Sequence, residues 1–307
     1  MTGLNVLYYG GLWPTNIGNS FIDLGALNVL RRSSPNANIH MVSRFSRFYA
    51  QHRKNNRLGF LNNQWKALDV AEIAKVDYVV VAGNVTHTEF IEVEGPTIKK
   101  LVDRGAKFII LGGGCSVYNE NEFRKFEKFM KTVSTYAFVS RDSHSYEAYA
   151  GAAMHSFSGI DCGFFVADEY KPLPLDCNDY VVFSFDDQSL ESTINLKEEI
   201  IFRTRHYCFG IRERFIKKLD NTLVSDIPND YLTLYANSSV VYSDRVHACV
   251  AALSYGRGAK LFSNTLRAKL FFEVLNEDIT KKVVQVDKRI LNTRKEEEVN
   301  WLSSLII

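Results

Sequence analysis

A chain of 307 residues is long for one compact core and comfortable for two domains. With 46% hydrophobic and 23% charged residues it has the composition of a soluble globular protein, and a formal net charge of +2 excludes a global pull towards nucleic acid, so any anion site has to be local. The five cysteines, Cys115, Cys162, Cys177, Cys208 and Cys249, contain no CxxC pair and are odd in number, which fits inert thiols in a reducing compartment better than a disulfide framework.

The opening "MTGLNVLYYGG" lacks the basic and apolar regions of a signal peptide, and no apolar run approaches the ~18 residues of a membrane span. The expectation is a soluble, intracellular protein. In chain order, Asn5–Tyr9 reads as a buried strand, the loop "GGLWPTNIGNS" follows, and Phe21–Arg32 has helical spacing. Ile39–Val42, Asp77–Ala82, Lys107–Leu111 and Ala137–Ser140 read as further strands, with Pro96–Arg104 a crossover helix and "SHSYEAYAG" a helix closed by Gly151. After the linker-like "EYKPLPLDCND", Tyr180–Phe185 starts a second series. Leu190–Leu219 reads as largely helical, Ser239–Ser243 and Lys260–Phe262 as strands, and Arg267–Leu275 as an amphipathic helix; Asp287–Asn300 reads as a solvated helix. Strands alternating with helices predict an α/β protein of two Rossmann-like domains facing a cleft, 1–168 and 169–307, with ligands at the carboxyl ends of the strands.

Polar residues gather where strands end. In "PTNIGNSF", Gly18 permits close backbone approach, and Asn16, Asn19 and Ser20 either cap the helix or touch a ligand. This is neither a GxGxxG nor a P-loop pattern, so neither a dinucleotide nor a nucleoside triphosphate is supported. His87 follows the "DYVVVA" strand and is a second candidate for proton transfer. The glycines of "LGGGCSVYNEN" either expose N–H groups to the cleft or form a flexible turn. Arg141 follows the next strand, placed either to bind an anion or to pair with Asp142.

The most informative stretch is "YSDRVHACVAALSYGRG". Arg245 and His247 open an otherwise apolar helix, where both are costly to bury without a partner. Beside the helix N-terminus they suit a ligand with a phosphate and a carboxylate; the alternative is a core histidine satisfied by Asp244 or a carbonyl, with Arg245 snorkelling. In "FSNTLRAK", Ser263, Asn264 and Thr265 cap a helix or reach the same ligand. His40, His52, His155 and His206 show no metal-ligand spacing, so no metal is expected. The run "RFSRFYAQHRKNNR", with Arg44, Arg47, His52, Arg53, Lys54 and Arg57, is a solvated face or a peripheral contact with anionic lipid headgroups or a charged glycan.

Four islands, "NIGN", "FVSRDSHSYEAY", "GIDCGFFVAD" and "YSDRVHACVAALSYGRGAKLFSN", resemble the polysaccharide pyruvyl transferase family. The resemblance implies a GT-B-like pair of domains and transfer of pyruvate from phosphoenolpyruvate onto two hydroxyls of one sugar of a cell-surface glycan, giving a cyclic ketal. It implies phosphoenolpyruvate as donor substrate with no further cofactor, a glycan or lipid-linked oligosaccharide as acceptor, and no nucleic acid partner. Arg141, Arg245 and His247 fall where the family is expected to bind the donor, and Asn16 and Asn19 in the loop expected near acceptor or donor. Under that reading His247 is the leading general acid, His87 the second, and Asp23, Asp142 and Asp161 are candidates for the acceptor-side base. The chain departs from the family pattern at Gly18-Asn19, where glycine-aspartate is more usual, and at Gly83-Asn84-Val85, where a glycine run is. Two other readings stay open: a GT-B glycosyltransferase with Glu273 or Glu277 on a nucleotide ribose, and a non-catalytic glycan-binding module.

Overall fold

The computed structural model of the chain describes residues 3–11, 13, 16–44, 68–114, 119–194, 196, 200–206, 221–263 and 265–306. Asn264 and the basic run from Arg47 to Arg57 lie outside them. The first part of the chain alternates strands and helices: β1 (Asn5–Gly10), α1 (Gly18–Ser33), β2 (Asn38–Ser43), β3 (Tyr78–Asn84), α2 (Thr88–Val93), α3 (Gly95–Asp103), β4 (Lys107–Gly114), α4 (Glu120–Thr132), β5 (Ala137–Ser140), α5 (Ser143–Tyr149) and β6 (His155–Ser158). The strands form one parallel sheet in the order β2-β1-β3-β4-β5-β6. Val79, Val80 and Val81 are wholly buried, as β-branched residues covered on both faces should be. The order reverses between β1 and β3, which opens a crevice at their carboxyl ends.

After α6 (Val166–Glu169) the pattern repeats with β7 (Tyr180–Ser184), β8 (Ile200–Thr204), β9 (Thr222–Leu223), α7 (Pro228–Asn237), β10 (Val240–Ser243), α8 (Val246–Ser254), β11 (Gly258–Leu261) and α9 (Lys288–Ser303). This second parallel sheet runs β11-β10-β7-β8-β9, with its reversal between β7 and β10. The two-Rossmann α/β architecture is therefore as expected.

Local expectations fail in three places. The supposedly helical Leu190–Leu219 contains strand β8, whose Ile200-Ile201-Phe202 pairs with β7. Arg267–Leu275 forms a 3-10 segment, Leu266–Glu273. The tail helix is not merely solvated: α9 buries Leu291, Lys295, Glu298, Val299 and Leu302. It does so against the first sheet's layer, although it follows the second sheet in sequence. The Ser33 hydroxyl donates to the Val299 carbonyl (3.3 Å), Trp301 stacks on Phe157, and Tyr136 reaches the Leu305 carbonyl (3.0 Å).

Helix α1 lies against the 3-10 turn Cys162–Phe165 so closely that Gly25 has no room for a side chain: a Cβ there would overlap the Cys162 carbonyl. Backbone cannot yield as a flexible side chain can. Gly25→Ala is therefore expected to lower unfolding free energy by about 2–3 kcal/mol in urea titration; unchanged stability would mean that the two backbones are not locked. Cys162 and Cys249 are buried and free, and burial pushes both thiols up, which leaves them unreactive.

Candidate functional site

Two side chains from distant parts of the chain, Arg141 and His247, meet at one carboxylate. Asp161 follows β6 and caps the turn Cys162–Phe165 by accepting from Gly163 N–H (2.9 Å) through Oδ1. Its other oxygen, Oδ2, lies 3.4 Å from Arg141 Nη1 and 3.5 Å from His247 Nε2. Asp161 is 0% exposed and Arg141 1%. Burial alone would raise the Asp161 pKa. The His247 imidazole and the Arg141 guanidinium outweigh it and, with the Gly163 amide, hold the carboxyl at about 2. At 3.5 Å the His247 contact is longer than an ordinary hydrogen bond, and His247 Nε2 has no other hydrogen-bond partner among the described residues.

Arg141 reaches Asp161 because β4 ends in glycine. A Cβ at Gly114 would strike the Arg141 guanidinium, and one at Gly112 would come within 3.0 Å of Cys162 Sγ. Gly112, Gly113 and Gly114 are thus part of strand β4 and admit close packing, instead of forming an open phosphate loop. Asp142 caps α5 through Ser145 N–H (2.7 Å) and lies 3.9 Å from Arg141 Nε, so Arg141 is flanked by two carboxylates.

Residues 16–18, at the start of α1, approach His247 and the second unit. Ile17 N–H donates to the His206 carbonyl (3.1 Å), which ties the start of α1 to the second unit. A Cβ on Gly18 would come to 3.2 Å from each of Asn16 Oδ1, His206 Nδ1 and His247 Cβ, so glycine lets α1 approach both histidines without displacing them by a few tenths of an ångström. Asn16 Oδ1 accepts from Gly18 N–H (3.1 Å), and Asn19 is the second residue of α1. His206 carries little weight in the sequence, yet it is buried at this seam. Its Nε2 lies 2.6 Å from the Tyr235 hydroxyl, and burial, aided by nearby His247, lowers its pKa to about 3. It is a neutral imidazole at physiological pH.

Arg245 is the N-cap residue of α8 and lies at the second sheet's reversal point. Its amide donates to Ser243 Oγ (2.7 Å), whose hydroxyl donates to the Ser184 carbonyl (2.7 Å). Its guanidinium, 18% exposed, pairs with Asp186 just beyond β7. Asp244 completes the clasp by accepting from the amides of Asp186 (3.0 Å) and Asp187 (3.0 Å). Burial, then the like charge of Arg267, lower the Arg245 pKa to about 10, so it stays a cation at neutral pH.

The model of the polysaccharide pyruvyl transferase family matches residues 16–264. The chain belongs to that family. The match spans the first loop, the Asp161 turn and the Arg245–His247 helix. No curated protein matches the chain by sequence. Among solved structures, UDP-N-acetylglucosamine 2-epimerase from Rickettsia bellii superposes with a TM-score of 0.57 at 13% identity, covering 99% of this chain and 97% of that one. The S. aureus MnaA–UDP co-structure gives 0.56 at 11%, covering 99% and 91%. The Neisseria meningitidis UDP-GlcNAc 2-epimerase bound to UDP-GlcNAc gives 0.54 at 11%, covering 98% and 94%. At such identities these similarities establish the GT-B-type fold alone.

The remaining candidates of this pyruvyl transferase family member are placed differently. His87 caps α2: Nδ1 accepts from Phe90 N–H (3.2 Å) and Nε2 lies 3.2 Å from the Asn84 carbonyl. Both ring nitrogens are taken up in its own turn, and burial lowers its pKa, which suits a cap better than an acid. Ser263 bonds locally with Thr265 (3.2 Å), as in simple capping. Of the three carboxylates considered as base, Asp23 accepts from the Tyr8 hydroxyl (2.5 Å) and Gly11 N–H (3.1 Å), Asp142 is a cap, and Asp161 is the hub. Glu273 accepts from Ser143 N–H (3.0 Å) and lies 3.4 Å from Arg294, and Glu277 pairs with Lys282. Among the described residues, no His/Cys/Asp/Glu cluster is arranged to hold a metal and no helix is long and apolar enough to cross a membrane.

Proposed function

We propose that this family member moves pyruvate from phosphoenolpyruvate onto two hydroxyls of one glycan sugar as a cyclic ketal. The observation that carries this reading is Asp161 Oδ2 between Arg141 and His247, with His247 Nε2 buried at the seam and held only by this long contact. An imidazole nitrogen beside a carboxylate, with only one long contact to give up, is placed to donate a proton. Arg245 and the first turn of α8 supply positive charge for the donor's phosphate and carboxylate, and Asp186 holds the guanidinium until the donor shares it. Arg141, almost wholly buried, acts from behind by keeping Asp161 anionic.

In the reaction, His247 gives its proton to the methylene carbon of phosphoenolpyruvate, and C2 becomes an oxocarbenium. One sugar hydroxyl adds to C2 and returns a proton to the imidazole. The C2–O bond to phosphate breaks, inorganic phosphate leaves, and the second hydroxyl closes the ring with loss of its proton to phosphate. All charge compensation in this scheme comes from side chains and helix dipole. The acceptor is a glycan, free or lipid-linked.

The test is incubation with phosphoenolpyruvate and a panel of glycosides, with phosphate release and mass spectrometry as readouts. A ketal product supports the reading. Thermal stabilisation by UDP but not by phosphoenolpyruvate would favour nucleotide-sugar chemistry, and stabilisation by glycan alone a binding module. Arg245→Ala should weaken donor binding by about 2–4 kcal/mol, roughly 30- to 900-fold in Kd by calorimetry. Stability should change little, since Asp186 is solvent-exposed and needs no replacement partner. Wild-type affinity in this variant would place the donor elsewhere.

A further inference from the structure

Helix α9 turns two side chains, one turn apart, onto the exit of β6. Arg294 Nη2 donates to the Ser158 carbonyl (2.8 Å) and lies 3.4 Å from that of Gly159. Glu298 Oε2 accepts from Ile160 N–H (3.0 Å). Glu298 is 0% exposed, and its Oε1 has no hydrogen-bond partner among the described residues. Gly159 gives it room, since a Cβ there would lie 2.5 Å from Glu298 Oε2. Three consecutive residues, 158 to 160, are thus gripped by one helix, and the next residue is Asp161.

We propose that Glu298 is a positioning residue: by holding Ile160 N–H it fixes the turn that presents Asp161 to Arg141 and His247. A buried carboxyl is a costly way to satisfy one amide, which points to a demand on the position of that amide. The groups facing Glu298 are Arg294 on its own helix, and Asp161 and Cys162 on the turn it holds. Burial and, less strongly, Asp161 raise its pKa to about 8, against the Ile160 amide and Arg294. Glu298 is therefore protonated at neutral pH, accepts the amide through its carbonyl oxygen, and puts no second negative charge beside Asp161.

The kinetic part of the test rests on the phosphoenolpyruvate reading; the structural part does not. Glu298→Gln keeps an acceptor for Ile160, Glu298→Leu removes it, and Leu302→Ala destabilises the same helix without touching 158–160. The expected result is kcat within about threefold of wild type for Glu298→Gln and at least about tenfold lower for Glu298→Leu, with KM for phosphoenolpyruvate nearly unchanged. Folded Leu302→Ala should keep its kcat. Crystals of Glu298→Leu should show the Asp161 carboxylate withdrawn from Arg141 and His247. Asp161 in place in those crystals, or an equal kcat loss in Leu302→Ala, would overturn the proposal. If Glu298→Leu does not fold, Glu298→Asp, one methylene shorter, is read in the same way. Absence of turnover in the wild type would defeat the function assignment, while the crystal comparison would still decide the role of Glu298.

Discussion

Asp161→Asn is expected to lower turnover by about 10³-fold and unfolding free energy by about 3–5 kcal/mol, even though the amide keeps the shape of the side chain. The stability loss follows from burial. Arg141 is 1% exposed and His247 is nearly enclosed, so removing the charge between them leaves the buried guanidinium facing a neutral amide, with only the more distant Asp142 carboxylate beside it. The turnover loss follows from orientation. Without the carboxylate, the His247 ring loses the group that aims Nε2. The substituted amide can still accept from Gly163 N–H through its oxygen, so the turn itself should survive. His247→Gln should cost a similar factor, and the double variant little more than either single one, because residues acting as a unit are not additive. Steady-state kinetics and urea titration at pH 7 check both halves. Additive losses in turnover would show that Asp161 serves the fold alone.

The folded-state pKa of Asp161, about 2, lies below its ordinary 3.8, so its stabilising contribution is present above pH 3.8 and disappears as pH falls through about 2. The site is thus charge-paired throughout the physiological range. Both sheet reversals contribute to it. The β1–β3 crevice brings the Gly18 loop and α1, and the β7–β10 crevice brings Asp186, Asp244 and Arg245. Glu273 shows how a carboxylate on this frame is used in this chain. As a carboxylate late in the second unit it could have met a ribose, but here it holds the start of α5 and Arg294.

What could be read directly from the sequence follows from how far apart the interacting residues are. The strands β1, β3, β4 and β7 are continuous apolar runs, and burial on both faces makes such runs unmistakable. By contrast, β6 is "HSFS", half-buried and polar, and has no run to detect. Strand β8 is hidden because its apolar triplet follows Lys197-Glu198-Glu199, a charge pattern that suits a helix. Arg245 and His247 stand out because a strand-to-helix junction with two costly polar groups is a local signal. Asp161 does not: its partners are 20 residues back at Arg141 and far forward at His247, and nothing local marks a hub. His206 and Glu298 are invisible for the same reason, and His87 misleads because a capping imidazole looks like a catalytic one until both nitrogens are accounted for.

The pH dependence of stability should carry the signature of Glu298. Its folded-state pKa, about 8, lies above the 4.5 of an ordinary glutamate. The folded chain therefore keeps this proton where the unfolded chain has already lost it, so the contribution is complete below pH 4.5 and is lost as pH rises towards 8. At about 1.4 kcal/mol per pH unit, the interval amounts to about 5 kcal/mol. Other carboxylates, Asp161 among them, act in the opposite direction at lower pH, so the wild-type curve alone would blend the two. Subtracting the Glu298→Gln curve isolates the term, because glutamine fills the same space, accepts from Ile160 and does not titrate. The difference in unfolding free energy, wild type minus variant, should be level below pH 4.5, fall between 4.5 and 8, and level again above. A difference that stays flat from pH 5 to 8 would mean that Glu298 is ionised when folded, with Arg294 as its true partner and a second negative charge standing beside Asp161.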